Sequence, residues 1–114
     1  MNRKIIFHGE YFIDFYKTLN INVKSKFQYV FELIKQVKMV PKKFLSPMTG
    51  YKGLFEIRVE YQSNIYRVFC CFDKGKLIVL FNGFQKKSQK TPKKEIEKAV
   101  KLKNEYFRLK NIKS

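Results

Sequence analysis

The chain has 114 residues, enough for one hydrophobic core and too few for two. Hydrophobic residues make up 45% and aromatics 17%, which excludes disorder as the overall state. The formal net charge is +16, from 25 Lys and Arg against 9 Asp and Glu, so self-repulsion opposes compaction and a polyanionic partner would relieve it.

Nucleic acid leads that class of partner, because each neutralised phosphate releases condensed counterions. An anionic membrane surface comes second, but no apolar run approaches the roughly 18 residues that mark a span. The apolar stretch between Met1 and Glu10 is too short for the core of a signal segment, so the expected location is the cytoplasm, with no membrane partner. Cys70 and Cys71 are adjacent and point to opposite faces of a strand, which disfavours a disulfide between them. With His8 they are too few for a metal site. No cofactor is expected.

Arg3 to Phe7 reads as a short first strand. Phe12, Phe15, Tyr16 and Leu19 follow helical spacing, and Asn20-Ile21-Asn22 breaks that helix. A second helix is expected from about Lys24 to Val40. It buries Phe27, Val30, Phe31, Ile34 and Val37, exposes Lys26, Lys35 and Lys38, and stops at Pro41. Pro41 to Gly53 is a loop by composition.

The period then changes to two. Phe55, Ile57, Val59 and Tyr61 share one face of a strand, and Glu56, Arg58 and Glu60 share the other. Gln62-Ser63-Asn64 turns the chain into a strand from Ile65 to Phe72. Asp73-Lys74-Gly75 turns it again into a strand from Lys76 to Phe84, completing an antiparallel meander. Thr91-Pro92 opens a last helix, with Thr at the cap and Pro at the first position. Ile96, Ala99, Val100, Leu102, Tyr106 and Leu109 give it an apolar side, and Asn111 to Ser114 fray. The expected fold is α+β, one domain over residues 1–114. Its order is β-α-α-β-β-β-α, with the helices packed on one face of an antiparallel sheet.

Glu56, Arg58 and Arg67 are polar residues on the paired strands of the meander. Whether Arg67 shares a face with Arg58 depends on register, which remains open at this point. If it does, two guanidiniums and a carboxylate meet on the sheet, with Lys86 and Lys87 beyond the third strand. Arginine forks bind phosphate oxygens and stabilise transition-state charge. A lysine can protonate the leaving oxygen, and a carboxylate can take the proton of an attacking ribose 2′-hydroxyl. That route selects RNA over DNA.

Taken alone, the same residues read better as an ordinary cross-strand ion pair than as a catalytic set. The lysines that follow, Lys86, Lys87, Lys90, Lys93 and Lys94 among them, suit the tracking of a phosphate backbone better than a merely solvated face. His8 fits a capping or surface role. Tyr51, Tyr61 and Tyr66 read as core or rim aromatics.

Two stretches carry a family resemblance. Gly53-Leu54-Phe55-Glu56-Ile57-Arg58-Val59-Glu60-Tyr61 with Asn64-Ile65-Tyr66-Arg67-Val68-Phe69 resembles the central strands of phage-derived Gp49-like proteins, the HigB branch of the RelE/ParE-type toxins. The run from Val79 to Pro92, with Glu95-Ile96 and Ala99, is similar to the family's second signature. The resemblance implies a RelE-like fold and a toxin encoded beside a helix-turn-helix antitoxin. It also implies metal-free, ribosome-dependent cleavage of mRNA in the A site. It makes Arg67 the first candidate for transition-state stabilisation and Arg58 the second, with Lys86 and Lys87 near the scissile phosphate. Glu56 as base is an inference from chemistry alone. The sequence departs from some HigB relatives in having no histidine near its C-terminal helix. Two other readings stay open: a ParE-like toxin of the same fold aimed at DNA gyrase, and a non-catalytic basic module that binds RNA or ribosomes.

Overall fold

The computed structural model describes residues 2–113 of the chain; Met1 and Ser114 lie outside the described residues. β1 (Lys4–Phe7) leads into α1 (Tyr11–Lys17) and α2 (Ile21–Gln36). A short β2 (Leu45–Pro47) precedes β3 (Phe55–Tyr61), β4 (Asn64–Asp73) and β5 (Leu77–Lys86), and α3 (Lys93–Lys113) follows. The class is α+β and the expected order holds, with β2 added inside the stretch read as a loop. A three-residue strand ending in proline has no periodicity to read.

The strands lie in the order β1-β5-β4-β3-β2. β2 to β5 pair antiparallel, but β1 runs parallel to β5, with Lys4 opposite Leu77 and Phe7 opposite Leu80. The sheet is therefore mixed, not antiparallel. Parallel partners need a long crossover, and everything from α1 to β4 supplies it here.

The expectation of helices on one face is also corrected. Phe12 of α1 and Val23, Phe27, Val30 and Ile34 of α2 pack on Ile57, Val59, Val68, Ile78 and Leu80. α3 packs on the opposite face, with Ile96, Ala99 and Leu102 against Leu54, Phe69, Cys71, Val79 and Phe81. Strands covered on both sides read as continuous apolar runs rather than alternations, and Val68–Phe72 and Ile78–Phe81 are such runs. Cys70 enters the first core and Cys71 the second, both as free thiols. Burial pushes both thiols up, Cys71 to about 11, so they stay protonated small hydrophobes at neutral pH.

α2 begins and ends earlier than its periodicity implies. Asn20 does not break the chain but caps the helix, its Oδ1 accepting from the Val23 N–H at 3.0 Å. At the far end the Arg3 fork donates to the carbonyls of Ile34 (2.8 Å), Val37 (2.6 Å) and Lys38 (2.8 Å). That cation satisfies the terminal carbonyls and stops the helix well before Pro41. Val37, expected in the core, is 38% exposed. α3 starts one residue late. The Pro92 carbonyl accepts from Glu95 and Ile96, so Pro92 rather than Thr91 holds the cap position. Its last turn runs to Lys113 instead of fraying at Asn111.

One irregularity positions the site. Val68 pairs with Gly83 and Cys70 with Leu80, so Phe69 alone faces both Phe81 and Asn82: a bulge in β5. The extra residue reverses the alternation, so that Phe84 and Lys86 share the face of Phe81. Gly83 then points at α1, where a Cβ would lie 2.6 Å from the Phe15 ring. Only glycine allows so close an approach.

Candidate active site on the open face of the sheet

The polar strand residues gather at the end of the α3 face of the sheet, beyond the apolar contacts of that helix. Arg58 and Arg67 are directly opposed on β3 and β4, and Arg67 is opposed by Phe84 on β5. The open question of register is thereby answered: Arg58, Arg67 and Glu56 share one face.

Two like charges placed opposite one another repel. Glu56 offsets this. Its Oε1 lies 3.4 Å from Arg58 Nε and 3.5 Å from Arg67 Nε, one carboxylate oxygen between two guanidiniums. Arg67 Nη1 also donates to the Tyr66 carbonyl at 3.1 Å. Burial, and then the charge of Arg58, pull the Arg67 pKa below the ordinary arginine value; Glu56 and Glu60 act in the other direction.

Exposure separates the two arginines. The side chain of Arg67 is 3% exposed and that of Arg58 34%, so only Arg58 meets solvent without rearrangement. Arg58 Nε is buried and makes only the long ion pair with Glu56, without hydrogen-bond geometry.

The expected lysines fall into two groups. Lys86, the last residue of β5, shares the arginine face through its pairing with Ile65, and with Lys87, Ser63, Ser88 and Gln89 it lines a pocket of about 370 Å³. Lys90, Lys93 and Lys94 are exposed on the loop into α3 and on its first turn, and among the described residues no ion pair joins them to the arginine cluster. As cations at a helix N-terminus, Lys93 and Lys94 reinforce the positive end of the dipole.

Beyond that cluster, polar contacts pin α3 to the sheet. Asn82 Nδ2, at the bulge, donates to the main-chain and side-chain oxygens of Glu95 at 3.1 and 3.0 Å. Asp73 accepts from Tyr106 Oη and from Lys110 Nζ, each at 2.7 Å. These donors hold the Asp73 carboxyl below its ordinary value, while burial and that carboxylate push Tyr106 up to about 12. His8 is neither a cap nor a surface residue. Its Nε2 lies 2.6 Å from Glu105 Oε1 and its side chain is 12% exposed. The one histidine thus touches the C-terminal helix from across the fold. Sequence separation hid that contact, since only the β1–β5 pairing creates it.

The mixed sheet with two helices on one side and a long helix on the other matches the fold of the RelE toxins. An arginine double mutant of the E. coli toxin RelE in the free state superposes with a TM-score of 0.63 at 13% identity, covering 89% of this chain and 97% of that one. RelE in the archaeal RelE–RelB complex from Pyrococcus horikoshii OT3 gives 0.55 at 17% identity, over 75% and 96% of the two chains. Residues 14–104 match the family described as Phage derived protein Gp49-like, and the chain belongs to that family. No curated protein sequence matches it significantly.

Proposed function

We propose that this chain is the toxin of a toxin–antitoxin pair, an endoribonuclease that cuts mRNA on the ribosome and is silenced by a helix-turn-helix antitoxin. The observation that carries the reading is the pair of opposed arginines bridged by Glu56 on the α3 face of the sheet, Arg58 reaching solvent. Family membership and the RelE-like fold support it, and so does the charge of +16.

In the proposed reaction the ribose 2′-oxygen attacks the adjacent phosphorus and forms a cyclic phosphate, while the bond to the 5′-oxygen breaks. Arg58 binds the phosphate oxygens and stabilises their growing charge. Arg67, held in place by Glu56 and the Tyr66 carbonyl, fixes Arg58 and reaches the phosphate once RNA draws the cluster open. The Glu56 carboxylate accepts the 2′-hydroxyl proton. Lys86 or Lys87 delivers a proton to the departing 5′-oxygen. No step requires a metal.

The test is translation in a purified system, followed by primer extension on the mRNA. Expected are breaks within translated codons that appear only with ribosomes and vanish when the adjacent gene product is added. Intact mRNA together with inhibited DNA supercoiling would replace this reading by the gyrase-directed one. Intact mRNA with ribosome binding alone would leave a basic binding module.

A further inference from the structure

The arginine cluster has a second neighbour, on the side away from the expected lysines. Arg58 forms one wall of a pocket of about 340 Å³ whose other walls are Lys26 of α2, Lys43, Phe44 and Glu60. The pocket is built by main chain. The Arg58 N–H donates to the Phe44 carbonyl at 2.8 Å, extending the β2–β3 ladder by one rung and fixing Lys43 beside Arg58. Lys26 is half-buried, its ammonium 5.3 Å from the Tyr29 ring centre, and the Lys43 ammonium lies 5.0 Å from that of Phe44. Among the described residues neither lysine has an ion-pair partner. Three cations thus face a single carboxylate, Glu60, around one concavity.

We infer that this pocket is a second phosphate subsite, which holds the backbone of the nucleic-acid strand one or more nucleotides away from the reacting phosphate. The strand crosses the sheet from Lys86 and Lys87, over Arg58, to Lys26 and Lys43. Arg58 belongs to both subsites, so binding in the outer one also orders the guanidinium used in the inner one. Glu60 keeps the pocket from being a general anion trap: a lone phosphate gains too little there, whereas a strand already anchored at Arg58 brings its next phosphate in at high effective concentration. The inference rests on the proposed RNA-directed function and adds a site to it.

The experiment measures binding of a non-cleavable, 2′-O-methyl oligoribonucleotide at several salt concentrations. Four proteins are compared: wild type, Lys26→Ala/Lys43→Ala, Lys86→Ala/Lys87→Ala, and a control with exposed Lys52→Ala/Lys74→Ala. For single strands each phosphate contact contributes about 0.7 to the log–log salt slope, so the Lys26/Lys43 variant, which gives up one phosphate, should lose about 0.7. The control should lose almost nothing, and inorganic phosphate should bind none of the four measurably. Shortening the oligonucleotide to about two residues should erase the difference between wild type and the Lys26/Lys43 variant. An unchanged slope in that variant, or an equal loss in the control, overturns the subsite. Wild type that binds no oligonucleotide even at low salt overturns the subsite too, while the proposed function stands or falls on cleavage in the translation assay. Both lysines lie outside the two hydrophobic cores, and an unchanged melting temperature confirms that the variants fold.

Discussion

Arg67 is the residue on which structure and chemistry pull hardest. Its guanidinium is almost wholly buried, and removing it strands Glu56 between a cavity and Arg58. Truncating one member of a buried charge cluster is strongly destabilising. Arg67→Ala should therefore unfold at markedly lower urea than wild type. Arg67→Lys keeps the charge but not the fork, and should fold more stably than the alanine variant. If Arg67 also stabilises the transition state, folded Arg67→Lys should cleave about 10²-fold more slowly than wild type. A wild-type rate from folded Arg67→Lys would reduce Arg67 to a positioning residue and leave Arg58 as the contact. The β3–β4 turn gives a contrasting case. Gln62 and Ser63 hold φ of 47° and 68°, left-handed values that cost side-chain-bearing residues about 1 kcal/mol each. Gln62→Asn/Ser63→Gly should raise the free energy of unfolding by about 1 kcal/mol or more. No gain in a urea titration would mean that the turn relaxes in solution.

Among the elements, α3 depends most on ionisation. Asp73 is held down by Lys110 and Tyr106, so its contribution to stability is full above the ordinary carboxylate value and is lost as pH falls through its depressed folded value. Tyr106 is raised, so its contribution is full below the ordinary tyrosine value and is lost as pH rises through about 12. α3 should thus loosen at both extremes. Asp73→Asn should flatten the acid limb of the stability profile while lowering stability at neutral pH, and limited proteolysis of α3 would report it directly. A variant with an unaltered acid limb would place the acid-sensitive contact elsewhere.

The same elements show what the sequence carried and what it did not. The amphipathic strand β3 and the core face of α2 are written in periods of two and 3.6, and both were legible. The face of Lys86 was not, because the bulge at Phe81 and Asn82 shifts the alternation by one residue and leaves no compositional mark. The second helical layer had a signal in the unbroken apolar runs of β4 and β5, which only a sheet covered on both faces can bury. Lys26 and Lys43 gave no sign, since their nearness to Arg58 comes from α2 and the edge strand meeting in space. The end of α2 was hidden for a similar reason: the residue that terminates it, Arg3, lies at the other end of the crossover.

For the whole molecule the governing quantity is charge. With +16 spread over 114 residues, repulsion within the folded chain is screened as the Debye length shrinks from about 10 Å at 0.1 M salt. Added salt should therefore raise the melting temperature while weakening RNA binding, two responses of opposite sign from one cause. A melting temperature that falls with salt would show that ion pairs such as Asp73–Lys110 outweigh the general repulsion. The pairing of β1 with β5 governs the order of events in synthesis. Lys4 to Phe7 leave the ribosome first but find their partner only when Leu77 to Leu80 have followed, a wait on the order of seconds at ordinary elongation rates. Until then the nascent chain has an unfinished sheet and lacks Lys86. A protein proposed to attack translation is thus inert while β5 is still being made, and its own topology delays its arming.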